Sequence, residues 1–271
     1  MPELPEITCR AREMRDALVG KTINGIEVLQ PKCLNVPPEE FSESLTGGVI
    51  EDVTHHGKWI FVRTRKGYLL LNMGMGGEIL VVTRDTLPEK RRVVFDFDDG
   101  TCLSINFWWF GYAHYTASGA LDTHAMTAKQ GPNALDVSVD ELANMLNGRR
   151  GRIKSFLLDQ SKIAGVGNAT VHDILFLARL HPLRQINTLT ENEIEALANA
   201  IHHGLQPSIE AGGAFYEVNL HGKPGGFTAE NLLVGYREGK PCPVCGTTIE
   251  KIKTGSTASF VCPQCQPLEP K

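Results

Sequence analysis

Two Cys-x-x-Cys pairs near the C-terminal end, Cys242/Cys245 and Cys262/Cys265, constrain this chain more than any other feature; 16 residues separate the pairs. Four thiolates at this spacing close a tetrahedron around one Zn²⁺, each pair turning at a tight knuckle. Pro243 and Pro263 stiffen the knuckles, and Gly246 follows the first, as turn chemistry asks. Unliganded thiols or another soft metal are the alternative. A site closed by four sulfurs is structural, and the tail around it is too short to bury a core, so the metal supplies its folding energy. The other three cysteines, Cys9, Cys33 and Cys102, are scattered and read as small core residues. The first residues carry neither a basic segment nor an apolar one, so no signal-peptide pattern is present and metal or free thiols are favoured over disulfides.

A length of 271 residues suits one large domain or two to three small ones. No apolar run approaches the ~20 residues of a membrane span. Residues 5–20 read as one helix, with Ile7, Ala11, Met14 and Leu18 on one face. Short β-branched or aromatic segments follow at 22–29, 60–63, 68–72, 93–97 and 102–105, separated by turn residues such as Asp99-Gly100; they predict a sandwich or barrel. Near 131–138 the character changes. Ser138 with Glu141 and Thr190 with Glu193 are capping-box patterns, and residues ~130–210 read as all-helical, interrupted by Ala164-Gly165-Val166-Gly167-Asn168. A Gly-rich stretch from Gly212 to Gly226 reads as a loop before the cysteine tail. The expected organisation is multidomain α+β: an N-terminal β-sandwich with its helix (1–130), a helical domain (131–226) and a zinc finger (227–271).

The opening Pro2-Glu3-Leu4-Pro5-Glu6 carries a second chemical signal. Removal of Met1 leaves Pro2 as a free secondary amine, and an α-amino group with a pKa near ~8 is partly unprotonated at neutral pH. Such an amine can attack a carbonyl-like carbon and form an iminium ion. Glu3 and Glu6 lie beside it as acid and base. The competing reading is helix capping, with proline near the first turn and carboxylates favoured by the helix dipole.

The opening pentapeptide, Gly57-Lys58, the Ala164–Asn168 turn, His181-Pro182 and the cysteine tail ending in Gln266 occur in one order across nearly the whole chain. In this the sequence resembles the formamidopyrimidine-DNA glycosylase / endonuclease VIII family of bifunctional DNA repair enzymes. The resemblance implies a β-sandwich, a helix–two-turn–helix domain and a zinc finger. It implies damaged double-stranded DNA as partner, one structural zinc, no nucleotide cofactor, no membrane, a monomer, and a bacterial-type cytoplasmic, nucleoid-associated location. It also implies roles. Pro2 attacks C1′ of the damaged nucleotide, Glu3 protonates the sugar ring oxygen, Glu6 supports them, and Lys58 holds the neighbouring phosphate. Elimination then nicks the strand. Met75, in Gly74-Met75-Gly76-Gly77, matches a side chain that fills the void left by a flipped nucleotide. Asn168, opening a helix, matches a phosphate contact. Lys154 and Arg237 match phosphate-contacting or structural positions.

Departures from the family pattern fall on recognition. Where relatives usually read Asp-x-Arg-Arg-Phe-Gly, this chain has Asn106-Phe107-Trp108-Trp109-Phe110-Gly111. Trp108 replaces the arginine that reads the base opposite the lesion; it is either a wedge facing DNA, with Phe110, or part of a core aromatic cluster. Tryptophan cannot make the two-point contact that selects a guanine or cytosine edge. Thr257 stands in place of the zinc-finger arginine, with Lys253 or Lys251 as substitute. Asn72 replaces a usual histidine, and the 213–222 loop is about two residues shorter and lacks its usual arginine. The expected substrate is therefore an oxidised pyrimidine, a ring-opened purine or a bulky base rather than 8-oxoguanine opposite cytosine. A catalytically altered DNA- or RNA-binding protein of the same fold is the first rival reading, and an unrelated zinc-stabilised interaction protein the second.

The net charge of −4 argues against a nucleic-acid partner only as a total. Residues 1–146 hold 14 basic and 20 acidic side chains, and residues 147–271 hold 13 and 11. The densest basic run, Arg149 to Lys154, opens the helical region, so local positive charge is present where phosphate contact is expected.

Overall fold

The computed structural model describes residues 1–255 and 257–268. The chain divides into two compact units: 1–129 with 211–226, and 130–210 with 227–268. The Gly-rich 211–226 segment, expected with the helices, thus belongs to the first unit. Its backbone is tied to the N-terminal helix: Ala214 N–H donates to Glu6 and Leu220 N–H to Glu13.

The first unit opens with α1 (Leu4–Leu18), whose Ile7, Ala11, Met14 and Leu18 are all buried, as their i, i+4, i+7 spacing predicts. β1 (Ile23–Val28), α2 (Pro38–Leu45), β2 (Ile50–His56), β3 (Trp59–Thr64), β4 (Gly67–Asn72), β5 (Glu78–Thr83), β6 (Val93–Phe97), β7 (Thr101–Asn106) and β8 (Tyr112–Thr116) follow. They form two four-stranded sheets, β1-β6-β7-β5 and β2-β3-β4-β8, antiparallel throughout. Apolar faces of both sheets and of α1 meet in one core that includes Ile60, Leu71, Ile79, Phe95 and Ile105. The five expected strands are present. α2, β2, β5 and β8 were not expected; β2 ends in His55-His56 and β8 carries His114, so tertiary pairing rather than local apolar pattern defines those two.

The second unit holds α3 (Val139–Leu146), α4 (Ile153–Leu158), α5 (Val171–Leu177) and α6 (Glu191–Glu210), then the hairpin β9 (Glu250–Lys253) and β10 (Ala258–Val261). Both capping boxes form. Ser138 accepts from Glu141 N–H while Glu141 accepts from Ser138 N–H at 2.9 Å, and Thr190 and Glu193 do the same ahead of α6. Asp173, buried on α5, accepts three backbone N–H groups, from Leu233, Val234 and Gly235, each at 2.9 Å, and so fastens the 233–235 segment to the helix. Among the described residues no helix is long and apolar enough to cross a membrane.

Candidate active site

Proline at the start of α1 suits a first turn that needs no N–H partner. Glu3 is the N-cap, and Glu6 completes a capping box by accepting from Glu3 N–H at 2.9 Å through Oε2. The other Glu6 oxygen accepts from Ala214 N–H at 3.2 Å. Glu3 and Glu6 are 5% and 7% exposed, and Pro2 is buried beside them. The capping reading holds, and the carboxylates that cap α1 are also packed beside the N-terminal residues. Burial, reinforced by the Glu3 charge, raises the Glu6 pKa against the pull of its backbone hydrogen bonds.

Lys58 occupies the two-residue turn between β2 and β3 with Gly57. Burial pushes its pKa down, while the charges of Glu3 and Glu6 pull it up. The ammonium thus lies within the field of both carboxylates, although more than fifty residues separate them in sequence. A further carboxylate joins this group. Glu217 Oε1 lies 3.8 Å from the amine of Met1, and burial raises its pKa to about 7, opposed by the amine and aided by Glu6. Sequence reasoning missed Glu217; its only signal was the altered 213–222 loop. An N-terminal amine 3.8 Å from Glu217, at the head of a segment whose Glu3 and Glu6 are buried, with one carboxylate poised to hold or release a proton near neutral pH, has the makings of acid–base and amine chemistry.

Met75 sits at a loop tip and is 45% exposed. Its N–H donates to the Trp109 carbonyl at 2.8 Å, and Trp108 N–H donates to the Met75 carbonyl at 2.9 Å. Gly74 has φ +56°, and a Cβ there would lie 2.2 Å from the Trp109 oxygen; a Cβ on Gly76 would lie 2.7 Å from the Trp108 ring. Only glycines let the two loops close. Trp108, Trp109 and Phe110 are 68%, 65% and 67% exposed, with Phe110 held at φ +57°. Trp108 is therefore a surface residue and not part of the core. Trp109, not singled out in the sequence, shares the patch.

In the second unit the expected contacts fare differently. Lys154 is a correction: it is 2% exposed, and its ammonium donates to Thr254, Thr257, Ser259 and the Ala258 carbonyl at 2.8–3.2 Å. Its charge is used inside the unit, where it pins the β9–β10 hairpin, and not on phosphate. Asn168 does not cap a helix, because α5 begins at Val171 with Thr170 as N-cap. Asn168 lies in the preceding turn, and its Oδ1 is buried with no hydrogen-bond partner among the described residues. Arg237 is half-buried and donates through Nη1 to the Leu232 carbonyl at 2.7 Å. Lys253 is exposed on β9, whereas Lys251 lies 3.8 Å from Glu238 and over the Phe260 ring. Tyr236, exposed and at φ +57°, was not singled out.

The sulfurs of Cys242, Cys245, Cys262 and Cys265 lie within 4.8 Å of one another, with separations of 3.4, 3.5 and 3.8 Å among them. A zinc–sulfur bond of about 2.3 Å in a regular tetrahedron requires sulfurs about 3.8 Å apart, so the four fit one structural zinc. Around them Val234, Ile249 and Phe260 form a small core with Phe176 of α5. Gln266 links the finger to the helices, donating to the Leu180 carbonyl at 2.9 Å and accepting from Cys262 N–H at 3.1 Å.

Comparison with known proteins gives a consistent result. Residues 1–106 match the formamidopyrimidine-DNA glycosylase N-terminal domain, 130–219 the formamidopyrimidine-DNA glycosylase H2TH domain, and 239–268 the zinc finger found in FPG and IleRS. The formamidopyrimidine-DNA glycosylase of Chloroflexus aurantiacus is 37% identical over 98% of each chain, and that of Symbiobacterium thermophilum 34% identical over 99% of this chain and 90% of its own. Among solved structures, the Lactococcus lactis Fpg in complex with abasic-site DNA is 30% identical, with 98% of this chain and 99% of that one covered and a TM-score of 0.89. The Lactococcus lactis Fpg with Fapy-dG-containing DNA is 29% identical, with 98% and 100% covered, also at 0.89.

Proposed function

Because this chain belongs to the formamidopyrimidine-DNA glycosylase family, we propose that it is a bifunctional DNA glycosylase and abasic-site lyase acting on damaged double-stranded DNA. The observation that carries this reading is the convergence of the N-terminal residues with Glu3, Glu6 and Lys58, the last lying in the electrostatic field of both carboxylates. A pure binding protein needs no such group. Removal of Met1 frees the Pro2 nitrogen. It attacks C1′ of the flipped nucleotide, forming a carbon–nitrogen bond as the bond to the base breaks, and the base leaves with the electron pair and takes up the proton shed by the amine nitrogen. Glu3 delivers a proton to the sugar ring oxygen, which opens the ring to an iminium. Glu6 is a positioning residue, since both its oxygens are engaged by backbone N–H groups. Lys58 holds the adjacent phosphate, and elimination from the iminium nicks the strand.

Met75 fills the void. Trp108 beside it supplies a ring face where the family pattern has an arginine fork, so discrimination by the opposite base through that position is lost. The substrate class is an oxidised pyrimidine, a ring-opened purine or a bulky base. Strong preference for 8-oxoguanine facing cytosine over 8-oxoguanine facing adenine would contradict this specificity.

Borohydride trapping tests the chemistry. Incubation with abasic-site DNA and reductant gives a covalent adduct, and protein with a blocked N-terminus gives none. Absence of an adduct with wild-type protein, its Met1 shown by mass spectrometry to be removed, would favour a non-catalytic DNA-binding protein of the same fold.

A further inference from the structure

Glu217 is a carboxylate beside the N-terminal amine that the reaction sequence above does not use. Its side chain is 10% exposed, and its Oε1 lies 3.8 Å from the Met1 amine. Neighbouring carboxylates are already engaged. Glu6 accepts a backbone N–H at each oxygen, from Glu3 and from Ala214, and Glu13 accepts from Leu220 N–H and from Arg10. The side-chain oxygens of Glu217 accept no hydrogen bond from the described residues. The residue is nonetheless fixed in place, because the backbone on both sides of it is tied to α1. Ala214 N–H donates to Glu6 at 3.2 Å, the Val218 carbonyl accepts from Arg10, and Leu220 N–H donates to Glu13 at 2.8 Å. Within the loop, Glu217 N–H donates to the Ala214 carbonyl and the Glu217 carbonyl accepts from Gly225 N–H, each at 3.0 Å. These ties deliver one unengaged carboxylate to the head of the helix that carries Pro2.

We propose that Glu217 is the proton carrier of the reaction: it takes up the proton that the Pro2 nitrogen sheds in attacking C1′ and passes it to the group that leaves C1′. The proposal rests on the glycosylase and lyase reading. The Pro2 nitrogen lies at most one residue repeat, about 3.6 Å, from the Met1 nitrogen. Removal of Met1 therefore leaves the new amine within reach of Glu217, directly or through one water. The nitrogen lone pair forms the bond to C1′. The N–H bond then breaks and leaves its pair on nitrogen, ready for the iminium, while the proton forms an O–H bond on Glu217. From there it joins the departing base or, on a ring-closed abasic site, the C1′ hydroxyl, which leaves as water. Glu217 ends as it began. Burial favours the neutral carboxyl and raises its pKa to about 7; the amine and Arg10 oppose that rise, and Glu6 and Glu78 add to it. Arg10 is itself paired with Glu13. An amine of pKa near ~8 and a carboxyl close below it exchange a proton at little cost in either direction, as a carrier requires.

The test is the single-turnover rate of cyanoborohydride trapping on abasic-site DNA between pH 5.5 and 8.5, with protein shown by mass spectrometry to have lost Met1. The wild-type rate rises through about pH 7, where Glu217 becomes a carboxylate able to accept. Glu217→Gln keeps the shape and cannot take a proton. It is slower by about a hundredfold at pH 7.5, and its profile lacks the inflection near 7. Glu217→Asp keeps the inflection and recovers part of the rate. Affinity for a duplex with a tetrahydrofuran analogue, which has no leaving group at C1′, is unchanged in both variants and shows that loop and fold are retained. An unchanged rate in Glu217→Gln, or a rate lowered equally at every pH with the inflection kept, overturns the proposal and makes Glu217 a structural residue. So does a loss of rate matched by an equal loss of affinity for the tetrahydrofuran duplex. Absence of an adduct with wild type overturns the glycosylase and lyase reading itself, whereas normal trapping by Glu217→Gln leaves that reading standing and removes only the carrier.

Discussion

The side-chain amide of Asn72 donates to the carbonyl oxygen of Lys58 at 3.1 Å, and its own oxygen accepts from Gly74 N–H at 3.0 Å. One residue therefore ties the turn that carries Lys58 to the tip that carries Met75. Asn72→Ala removes both links and leaves a half-buried carbonyl and N–H to find water. At about 1 kcal/mol per lost hydrogen bond, a stability loss of about 1–2 kcal/mol is expected. The larger effect is on positioning: the rate of borohydride trapping falls about tenfold or more, because small displacements of catalytic groups are costly. Thermal melting and single-turnover trapping measure the two effects, and an unchanged trapping rate would show that the tip and the lysine turn hold their places independently.

How much of this was legible in the sequence depended on whether the relevant contact is local. The four cysteines could be read from spacing alone, because each knuckle is four residues of chain. The capping of α1 by Glu3 and Glu6 could be read for the same reason, since its partners are three residues apart. Lys154 was misassigned because its partners lie 100–105 residues away; nothing near it in sequence says that a lysine in a basic run turns inward. Glu217 was missed because its relation to the amine exists only once the 211–226 segment is fastened to α1, 208 residues distant at Ala214 and Glu6. Trp108 stayed ambiguous because an aromatic run suits a core or a surface wedge equally. Its 68% exposure places it at the surface, on a loop held by Phe110 at positive φ, and backbone conformation is not written in hydropathy.

Two buried imidazoles set an acid limit on the first unit. His114 Nδ1 and His124 Nε2 are 2.9 Å apart, so one must donate and the other accept, and the pair sits against Trp59. Burial, and then the neighbouring imidazole, lowers the His114 pKa to about 4 from 6.5, and burial lowers that of His124. A base whose native pKa is depressed binds fewer protons folded than unfolded, so stability is full above pH 6.5 and is lost as pH falls from 6.5 towards 4. The loss attributable to His114 is on the order of 2–3 kcal/mol. Denaturation followed between pH 7.5 and 4.5 reads it, and the slope is shallower in His114→Gln, whose amide does not titrate.

Lys154 and the zinc act on one hairpin. Lys154→Met leaves Thr254, Thr257 and Ser259 without their shared donor, and a destabilisation of about 1–3 kcal/mol is expected. The readout is faster loss of zinc to a chelator, with DNA affinity of the zinc-loaded protein little changed. Burial holds the Lys154 pKa at about 8 instead of 10.5, so the cost of its charge is present in full below pH 8 and is relieved between 8 and 10.5. The stability advantage of wild type over the variant therefore widens across that window. An affinity loss in the zinc-loaded variant comparable to that of Lys253→Ala would return Lys154 to the DNA surface.

The inward turn of Lys154 also bears on how tightly duplex DNA is held. The region from 147 onward has only two more basic than acidic side chains, and Lys251 is shared with Glu238. If the exposed Arg149, Arg150, Arg152 and Lys253 and the proposed phosphate contact Lys58 are the cations that meet DNA, about five phosphates are neutralised. Each neutralised phosphate contributes about −0.9 to the slope of log K against log salt, so a slope near −4.5 is expected on undamaged duplex. Affinity measured from 50 to 200 mM salt checks it. Lys253→Ala flattens the slope by about 1, while Lys154→Met leaves it unchanged, because a charge already satisfied by four protein oxygens releases no counterion from DNA. A wild-type slope of about −6 or steeper would mean that cations outside this set reach the backbone.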